Sequence, residues 1–310
     1  MSKAVGEPLF DALVTGAGGF IGRHLVQFLS SMGLSVIVVA RAWPDGDSLL
    51  KLAGVQKAEW DIGMAAPALP PCRWWFHLAA VTDIAFCNQN PERAKQINAY
   101  ALDRLLNVAG ETCQAFILVS TLGVYGDPQY VPTDEAHPRQ PIEMYAQSKS
   151  LAEERLFAIE GFSGRRIVAR LFNTYGPGQQ MRMLIPSLVK QACQLDQLTL
   201  RNLDHTRDFI FCSDVARGLY LCAKKAINGD VINFGTGVES SAADLISVLE
   251  ELLDKELKVD VEAGPSNFAV VRRSCANIDF AWERLAWNPQ VSIREGLLKV
   301  ISAEHTGQRA

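Results

Sequence analysis

Short apolar runs alternate with amphipathic stretches through the first half of the chain. The apolar runs are bounded by polar or glycine positions, as buried strands are, and they cover residues 13–15, 36–40, 74–78, 116–120 and 166–171. Between them, apolar positions recur with the spacing of a helix face over residues 20–32, 91–109 and about 142–159. Because strand and helix alternate, we expect right-handed crossover connections. The predicted fold class is therefore α/β, a doubly wound parallel sheet with helices on both faces.

The pattern loosens after Tyr175, where Gly176, Pro177 and Gly178 interrupt it. Beyond this point it predicts helices over residues 185–192, 215–224 and 241–253, and short strands over residues 198–200 and 231–234. The chain therefore divides into a first domain, residues 1–175, and a smaller C-terminal α/β domain, mainly residues 176–310. Residues 205–235 are predicted to return to the first domain.

The composition is that of an ordinary globular protein. Apolar residues make up 48% of the chain, and 34 acidic against 30 basic residues leave a net charge of −4. No basic face is evident, which argues against a nucleic-acid partner. No apolar run approaches the roughly 18 residues of a membrane span, and residues 1–8 lack the apolar core of a signal peptide. The predicted location is the cytoplasm, with no membrane partner.

Seven cysteines are spread along the chain without a C-x-x-C pair, and their number is odd. Free buried thiols in a reducing compartment explain such a set better than disulfides or zinc ligands. The sequence therefore predicts no metal site. The cysteines are Cys72, Cys87, Cys113, Cys193, Cys212, Cys222 and Cys275.

A glycine-rich turn, T-G-A-G-G-F-I-G over residues 15–22, follows the first strand and opens the first helix. Gly16 makes the tight turn, Gly19 lets a pyrophosphate approach the backbone, and Gly22 lets the helix pack on the strand. The N–H groups and partial positive charge at the start of that helix suit phosphate groups. A tight turn without a ligand is the alternative, but the strand–turn–helix context favours a Rossmann dinucleotide site.

The end of the second strand indicates which dinucleotide binds. NAD-binding chains usually carry an Asp there, whose carboxylate accepts hydrogen bonds from the ribose hydroxyls, whereas this chain has Ala40 followed by Arg41. Without that carboxylate a 2′-phosphate is not repelled, and a guanidinium can pair with it. NADP(H) is therefore favoured over NAD(H), the alternative being that Arg41 is only a solvated charge. Asp61 and Ile62, after the third strand, are expected to hold the adenine.

Tyr145 and Lys149 form a Y-x-x-x-K pair on one face of a predicted helix. A phenol titrates at about pH 10, too high for a good base at neutral pH. A nearby ammonium and an oxidised nicotinamide ring favour the phenolate and are expected to lower that pKa. Ser120 or Thr121, at the end of the preceding strand, can hydrogen-bond the reacting oxygen. An ordinary surface pair is the alternative, but the order of turn, strand and pair favours catalysis.

These residues make the chain resemble the extended short-chain dehydrogenase/reductases, in particular the nucleotide-sugar epimerase/dehydratase group. The cofactor half matches in T-G-A-G-G-F-I-G at 15–22, H-L-A-A at 77–80, S-T-L-G-V-Y-G at 120–126 and Y-A-Q-S-K at 145–149. The substrate half matches in R-L-F-N-T-Y-G-P-G-Q at 170–179, T-R-D-F-I-F at 206–211 and N-F-G-T-G at 233–237. The resemblance covers nearly the whole chain, and it implies an enzyme with a nucleotide-diphosphate sugar as substrate.

The resemblance implies roles for individual residues. Thr121, Tyr145 and Lys149 look like the catalytic set. The implied cofactor-binding residues are Gly16, Gly19, Phe20, Ile21, Gly22, Arg41, Asp61, Ile62, Leu78, Ala79, Ala80, Tyr145 and Lys149. The implied substrate-binding residues are Thr82, Ser120, Thr121, Asn173, Arg207 and Arg272, with Arg273 as an alternative to Arg272. Paired guanidiniums suit a diphosphate because they are permanently charged, fork-shaped donors; a structural Asn in a turn and surface arginines are the alternative interpretation.

The chain departs from the pattern of this family at several positions. Leu122 and Gly123 stand where dehydratases carry an Asp-Glu pair, which disfavours 4,6-dehydration. R-N-L at 201–203 replaces the usual G-D-G and is closer to enzymes of deoxysugar and GDP-sugar pathways. Asn267 and A-V at 269–270 replace the usual Arg and Gly-Asp. Residues 79–87 resemble the corresponding loop of dTDP-4-dehydrorhamnose reductases.

The predicted function is an NAD(P)-dependent oxidoreductase that acts at C4 of a nucleotide-diphosphate sugar. A 4-ketoreductase of an NDP-4-keto-(deoxy)sugar is favoured, and an NDP-hexose 4-epimerase is the alternative. A 4-dehydrogenase, a 4,6-dehydratase and a non-catalytic nucleotide-binding protein are weaker alternatives. The resemblance also implies a homodimer, in which the helices at 91–109 and 142–159 pair as a four-helix bundle if their outer faces are apolar.

Overall fold

Strands and helices alternate along the chain in the computed structural model, which describes residues 9–200, 203–262 and 271–306. The strands, numbered in chain order, are β1 Phe10–Thr15, β2 Val36–Ala40, β3 Val55–Glu59, β4 Cys72–His77, β5 Ala115–Thr121, β6 Arg165–Leu171, β7 Asn173–Tyr175, β8 Gln197–Leu200, β9 Thr206–Phe211, β10 Val231–Phe234, β11 Glu239–Ser240, β12 Lys258–Val261 and β13 Arg273–Ser274. The α-helices are α1 Phe20–Ser31, α2 Ile84–Gln89, α3 Pro91–Lys95, α4 Ala101–Ala109, α5 Met144–Ala158, α6 Leu184–Gln194, α7 Cys212–Lys225, α8 Ala242–Leu253, α9 Asp279–Leu285 and α10 Ile293–Thr306.

A seven-stranded sheet with the order β10-β6-β5-β4-β1-β2-β3 forms the centre of the structure. All of its strand pairs are parallel, so each connection crosses over a face of the sheet. The predicted doubly wound α/β class is confirmed. The strand order reverses between β1 and β4, and ligands of such sheets bind at the carboxyl ends of the strands beside this reversal.

Alternate residues of the central strands are buried on opposite faces of the sheet. In β1, Ala12 and Val14 pack in the same core layer as Leu25 of α1, whereas Leu13 packs with Leu105 of α4. Because both faces are covered, the strands need apolar residues at successive positions. Each large side chain buried in this way stabilises the fold by about 1.5–3 kcal/mol.

The C-terminal part has a core layer of its own. Helices α6, α8 and α10 bury Leu188, Leu249 and Leu297 there, beside a small sheet in which β9 lies between β11 and β13 and also pairs with β7. Within residues 205–235, α7 packs on α1 and β10 joins the central sheet, whereas β9 belongs to the small sheet. The bounds of the two domains stay a prediction.

Asp208 of β9 fastens the small sheet to the loops around it. Its buried carboxylate accepts hydrogen bonds from the backbone N–H of Thr236 at 2.6 Å, of Gly237 at 2.9 Å and of Ala276 at 3.0 Å. The Thr236 hydroxyl donates a further bond at 2.6 Å. The aspartate of the T-R-D-F-I-F segment therefore holds three chain segments together.

Residues 91–109 do not form the single α-helix that the apolar spacing predicts. A π-helical turn at Gln96–Tyr100 separates α3 from α4. Such a turn inserts one extra residue into the helix, and it is common at functional sites. Here it carries Asn98, whose side chain is completely buried. Periodicity alone does not reveal the turn, because the apolar spacing on both sides of it is helical.

The outer faces of α4 and α5 differ from the apolar faces that a four-helix bundle requires. Among the large apolar residues of these two helices, Phe157 is more than a third exposed, and the others are more buried. Asp103 of α4 instead pairs with Arg155 of α5, whose guanidinium also lies 4.9 Å from the centre of the Tyr100 ring. Homodimer formation through these helices stays a prediction, and its interface would be largely polar.

No described helix is both long and apolar enough to cross a membrane. Within the same described ranges, no group of three or more His, Cys, Asp or Glu side chains is arranged to hold a metal ion. All seven cysteines are free thiols, six of them buried.

We expect Asp208→Ala to lower the free energy of unfolding by about 3 kcal/mol or more. The substitution removes the hydrogen bonds that the carboxylate accepts and leaves the buried N–H group of Ala276 without this acceptor, which alone costs about 1–3 kcal/mol. Urea denaturation measures the change, and Asp260→Ala on the exposed strand β12 is the matched control. Equal stability of the two variants would show that Asp208 does not fasten the small sheet.

Candidate active site

The glycine-rich turn between β1 and α1 has no room for side chains at two positions. Gly16 has φ +71°, and a Cβ there would lie 2.7 Å from the backbone N of Ala79. A Cβ at Gly22 would lie 2.2 Å from the carbonyl O of Gly16. Gly19 is the N-cap of α1 in an extended conformation, with no side-chain hydrogen bond to the first turn. The first N–H groups of α1, including those of Phe20 and Ile21, therefore fit a pyrophosphate.

The segment after β2 lies against this turn. A Cβ at Gly18 would be 3.8 Å from the Cβ of Ala40. Asp47 holds the guanidinium of Arg23, which also donates to the carbonyl O of Gly18 at 3.2 Å. Arg41, in contrast, is exposed and has no hydrogen-bond or ion-pair partner among the described residues. Its guanidinium is therefore free to meet an anion beside the turn.

The predicted adenine residues follow β3. Asp61 is half-buried, and its Oδ1 accepts a hydrogen bond from the backbone N–H of Gly63 at 2.9 Å. Ile62 is buried, and Arg104 donates to its carbonyl O at 2.9 Å. Asp61 thus shapes the loop, and Ile62 supplies an apolar surface at the edge of the sheet.

The loop after β4 is tied to the glycine-rich turn. Leu78 and Ala79 donate their N–H groups to the carbonyl O of Thr15 at 3.2 Å and to its Oγ1 at 3.3 Å. Thr15 Oγ1 is also hydrogen-bonded to Nδ1 of His77 at 2.7 Å. Ala80 is half-buried and Thr82 is exposed further along this loop. Sequence reasoning assigned no task to Thr15 or His77, although both lie within motifs that it used.

Asn98 is a further residue that the sequence did not reveal. Its Oδ1 accepts from the backbone N–H of Val81 at 2.8 Å, and its Nδ2 donates to the carbonyl O of Val81 at 3.0 Å. Nδ2 also donates to the Ser148 hydroxyl at 2.9 Å, and that hydroxyl donates to the carbonyl O of Tyr145 at 2.7 Å. The π-helical turn therefore connects the loop after β4 to α5, the helix that carries Tyr145. A buried Asn within an apolar helix pattern was the one available signal.

The three predicted catalytic residues come from β5 and α5. Thr121 ends β5, and its Oγ1 accepts a hydrogen bond from the N–H of Gly123 at 3.2 Å. A Cβ at Gly123 would lie 3.5 Å from this oxygen and 3.2 Å from the Cβ of Ala146, so the Thr121 hydroxyl lies beside the first turn of α5. In α5, Tyr145 is half-buried and Lys149 is 2% exposed.

Burial dominates the titration of the Tyr–Lys pair. Burial, together with the nearby Cys87 thiol, raises the pKa of Tyr145 to about 12. Burial also lowers the pKa of Lys149 to about 8, against the opposing charge of Glu153. Burial therefore dominates the phenol pKa in the protein alone, and the expectation that the Lys149 ammonium and an oxidised nicotinamide ring together lower it stays a prediction. At neutral pH Tyr145 is a phenol that can donate a proton, and Lys149 is mostly an ammonium.

Ser120 does not share the position of Thr121. Its side chain is buried, and its hydroxyl donates to the carboxylate of Glu153 beneath the site. Successive residues of a strand point to opposite faces, so one of the two hydroxyls had to turn inward. The structure thus places the hydroxyl of Thr121, and not that of Ser120, next to the first turn of α5, which carries Tyr145.

The predicted substrate residues lie around the small sheet. Asn173 of β7 is half-buried and accepts a hydrogen bond from the Ser274 hydroxyl at 3.4 Å. Arg207 donates to the carbonyl O atoms of Thr206 and Val271, both at 2.7 Å. Its guanidinium is therefore engaged with the backbone.

The two late arginines differ in their surroundings. Arg273 pairs with Glu239 at 2.5 Å, whereas Arg272 is exposed and has no side-chain partner among the described residues. Both line a cavity of about 360 Å³ together with residues 127–131. Of the two, Arg272 has the guanidinium that is free to bind a phosphate. Arg201, Asn202, Asn267, Ala269 and Val270 lie outside the described residues.

Comparison with known proteins shows the family of a chain that combines this turn, the helix with the Tyr–Lys pair and this C-terminal sheet. The model of the NAD dependent epimerase/dehydratase family matches residues 12–235. The chain belongs to this family. Its members use the fold for several reactions on nucleotide sugars, so family membership defines the class of chemistry but not the product.

Individual relatives illustrate this range. UDP-glucuronic acid decarboxylase 6 of Arabidopsis thaliana is 31% identical over 92% of this chain and 86% of its own length. GDP-6-deoxy-D-mannose reductase of Pseudomonas aeruginosa is 29% identical over 93% of this chain and 95% of its own length. The structure of UDP-glucose 4-epimerase from Thermotoga maritima with UDP-glucose superimposes with a TM-score of 0.83, at 28% identity, over 96% of this chain and 99% of that chain.

We expect Gly22→Ala to destabilise the turn and to weaken dinucleotide binding at least tenfold, because the new Cβ would overlap the carbonyl O of Gly16. Fluorescence titration with NADPH and NADH measures binding, and thermal unfolding measures stability. Gly18→Ala is the matched control, since a Cβ there meets no atom closer than 3.8 Å and its stability should change by less than about 0.5 kcal/mol. A Gly22→Ala variant that binds and unfolds like the wild type would contradict the proposed contact.

Proposed function

We propose that the protein is an NADPH-dependent 4-ketoreductase of a nucleotide-diphosphate 4-keto-deoxysugar. The observation that carries this proposal is the protonated phenol of Tyr145, whose pKa burial raises to about 12, beside the hydroxyl of Thr121. Reduction of a ketone needs a proton donor at the carbonyl oxygen. Residues 121–126 contain no carboxylate, so this segment offers no second acid or base for elimination.

A bound nicotinamide dinucleotide supplies the hydride to C4 of the sugar. Thr121 donates a hydrogen bond to the O4 atom of the ketone, and Tyr145 transfers its phenolic proton to that oxygen as the alcohol forms. The ammonium of Lys149 stabilises the tyrosinate that remains, which then takes a proton from water. The glycine-rich turn and the start of α1 hold the pyrophosphate of the dinucleotide.

Two features favour NADPH over NADH. Ala40 provides no carboxylate to repel a 2′-phosphate, and the free guanidinium of Arg41 can pair with it. Arg23 is less suited to this task, because Asp47 already holds its guanidinium. NADH is the alternative donor.

The substrate residues are assigned to the diphosphate end of the sugar nucleotide. Arg272 offers the free guanidinium, and Arg207 supplies a second one after it exchanges its backbone carbonyl partners for phosphate oxygens. Asn173 of β7 and Thr82 of the loop after β4 are proposed to contact the substrate between the diphosphate and the sugar.

Epimerisation at C4 is the second candidate, because the UDP-glucose 4-epimerase of Thermotoga maritima shares the fold over nearly the full length. An epimerase returns the hydride to its product and needs no added cofactor at each turnover. The reductase of Pseudomonas aeruginosa matches over a similar share of this chain. We prefer reduction over epimerisation because the guanidinium of Arg41 is free to bind a 2′-phosphate and because Tyr145 is protonated.

We expect the protein to oxidise NADPH stoichiometrically when it is given a GDP-, dTDP-, UDP- or CDP-linked 4-keto-6-deoxyhexose. Absorbance of NADPH and mass spectrometry of the sugar nucleotide follow the reaction. Tyr145→Phe should lose at least about 10²-fold in kcat, because the proton donor is removed. Tyr220→Phe, which keeps a ring that packs on Phe28 and Trp74 outside the proposed site, is the matched control and should retain activity.

Other products would identify other reactions. Catalytic turnover of an NDP-hexose to its C4 epimer without added cofactor would replace the reductase proposal by the epimerase. Release of CO₂ from UDP-glucuronic acid would point to the activity named for the Arabidopsis relative. Binding of nucleotide with no turnover, unaffected by Tyr145→Phe, would indicate a non-catalytic protein.

We expect Arg41→Ala to raise the KM for NADPH about tenfold or more and to leave the KM for NADH unchanged. The loss corresponds to about 1.5–3 kcal/mol for hydrogen bonds to a charged group. Steady-state kinetics with both cofactors measures this, with Lys258→Ala on exposed strand β12 as the charge-matched control. A wild-type protein that clearly prefers NADH would overturn the assignment of Arg41.

A further inference from the structure

A buried cluster of charged and polar groups lies directly beneath the catalytic helix. Its members are Glu153 of α5, Arg170 of β6 and Ser120 of β5, and we name it the Glu153 cluster. The side chains of Glu153 and Arg170 are 2% and 5% exposed. The proposed reaction does not use these three side chains, so their presence there needs a reason.

The geometry of the cluster is that of a tight, oriented ion pair. Arg170 donates from Nη2 to Oε2 of Glu153 at 2.7 Å and from Nε to Oε1 at 3.1 Å. The Ser120 hydroxyl donates to the same carboxylate, and Arg139 reaches it at 3.4 Å. Glu153 therefore joins α5 to the ends of β5 and β6.

A buried ion pair of this kind contributes little to the free energy of unfolding. Removing two charges from water costs several kcal/mol for each ion, and apolar side chains of similar volume often stabilise a core equally well. Its position suggests another task. Ser120 is adjacent to Thr121, and Glu153 follows Lys149 by one helical turn on the same face of α5.

The titratable and charged groups around Lys149 determine the electrostatic environment of its ammonium. From β4, His77 presents a ring whose Nδ1 is hydrogen-bonded to Thr15, and both burial and the Lys149 charge lower its pKa to about 3, so it is neutral. On α5 itself, Tyr145 is a neutral phenol, and Glu153 is the anion that acts on Lys149. Arg170 adds a positive charge on the far side of Glu153.

We propose that Glu153 is a positioning residue, which fixes the end of β5 and thereby Thr121, and keeps the buried ammonium of Lys149 charged. The first part follows from its bond to Ser120, and the second from its place one turn beyond Lys149. The inference rests on the proposed function only for the catalytic importance of Thr121 and Lys149. Its effect on the charge of Lys149 is a property of the folded chain itself.

The test compares Glu153→Gln in two backgrounds, the wild-type chain and Lys149→Met, by thermal unfolding between about pH 6 and about pH 9. Without Glu153 the pKa of Lys149 falls further below its present value of about 8. The folded Glu153→Gln chain then loses the lysine proton at a lower pH than the folded wild type. The Tm deficit of Glu153→Gln should therefore shrink as the pH rises.

In the Lys149→Met background the same substitution should lower Tm by an amount that does not change with pH, because the titrating group is gone and Arg170 stays charged throughout. Glu154→Gln is the matched control, since this neighbouring carboxylate is 57% exposed and pairs only with Arg139 among the described residues. A Tm deficit that has the same pH dependence in both backgrounds would overturn the inference.

A variant that fails to fold does not end the test. Glu153→Gln combined with Arg170→Met removes both charges of the ion pair, so that neither partner of the pair is left without the other, and is compared in the same two backgrounds. A pH-dependent difference between the backgrounds supports the inference, and its absence overturns it.

Kinetics tests the positioning of Thr121. We expect Glu153→Gln to lower kcat at least tenfold with little change in KM and to move the alkaline limb of the kcat profile to lower pH, and Glu153→Asp to recover part of the loss. Unchanged kcat and pH profile in Glu153→Gln would overturn the positioning role. If the wild type reduces no ketosugar, the proposed function fails, while the unfolding comparison still decides the effect of Glu153 on Lys149.

Discussion

The close approach of the β1–α1 turn to the end of β4 is the constraint on which the rest of the site depends. The backbone of Ala79 occupies the space where a side chain at position 16 would lie, and the carbonyl O of Gly16 occupies that of a side chain at position 22. Thr15 is then hydrogen-bonded to both His77 and Ala79, so the ends of the two strands are joined. This contact places the open N-terminus of α1 at the point where the order of the strands reverses.

The second half of the site is held by polar contacts in an otherwise apolar interior. Asn98 joins the loop after β4 to Ser148 of α5, and Glu153 joins the same helix to Ser120 of β5. Buried polar groups of this kind must be satisfied by specific partners, so they define the relative positions of the elements more sharply than apolar contacts do. Lys149 lies between these two attachments on α5, and Tyr145 lies one helical turn before it.

Burial also sets the chemistry of the Tyr–Lys pair. The same desolvation that raises the pKa of Tyr145 lowers that of Lys149, because it disfavours the anion of one and the cation of the other. The protein alone therefore keeps the phenol protonated. This protonation state is the one that the proposed reduction requires of Tyr145.

The sequence by itself determined the α/β class, the central strands other than the edge strand β3 and the glycine-rich turn, because a strand covered on both faces must be apolar throughout and glycine alone fits positions 16 and 22. It also selected Tyr145 and Lys149 as candidate residues through their spacing. It did not distinguish Thr121 from Ser120, reveal the π-helical turn at Asn98, or predict the helices after residue 271. The first two features depend on partners 17 and 33 residues away, as the bonds of Asn98 to Val81 and of Ser120 to Glu153 illustrate. The local pattern of apolar positions indicates only which face of an element is buried. The tertiary structure decides which hydrogen-bond partner each buried polar side chain has.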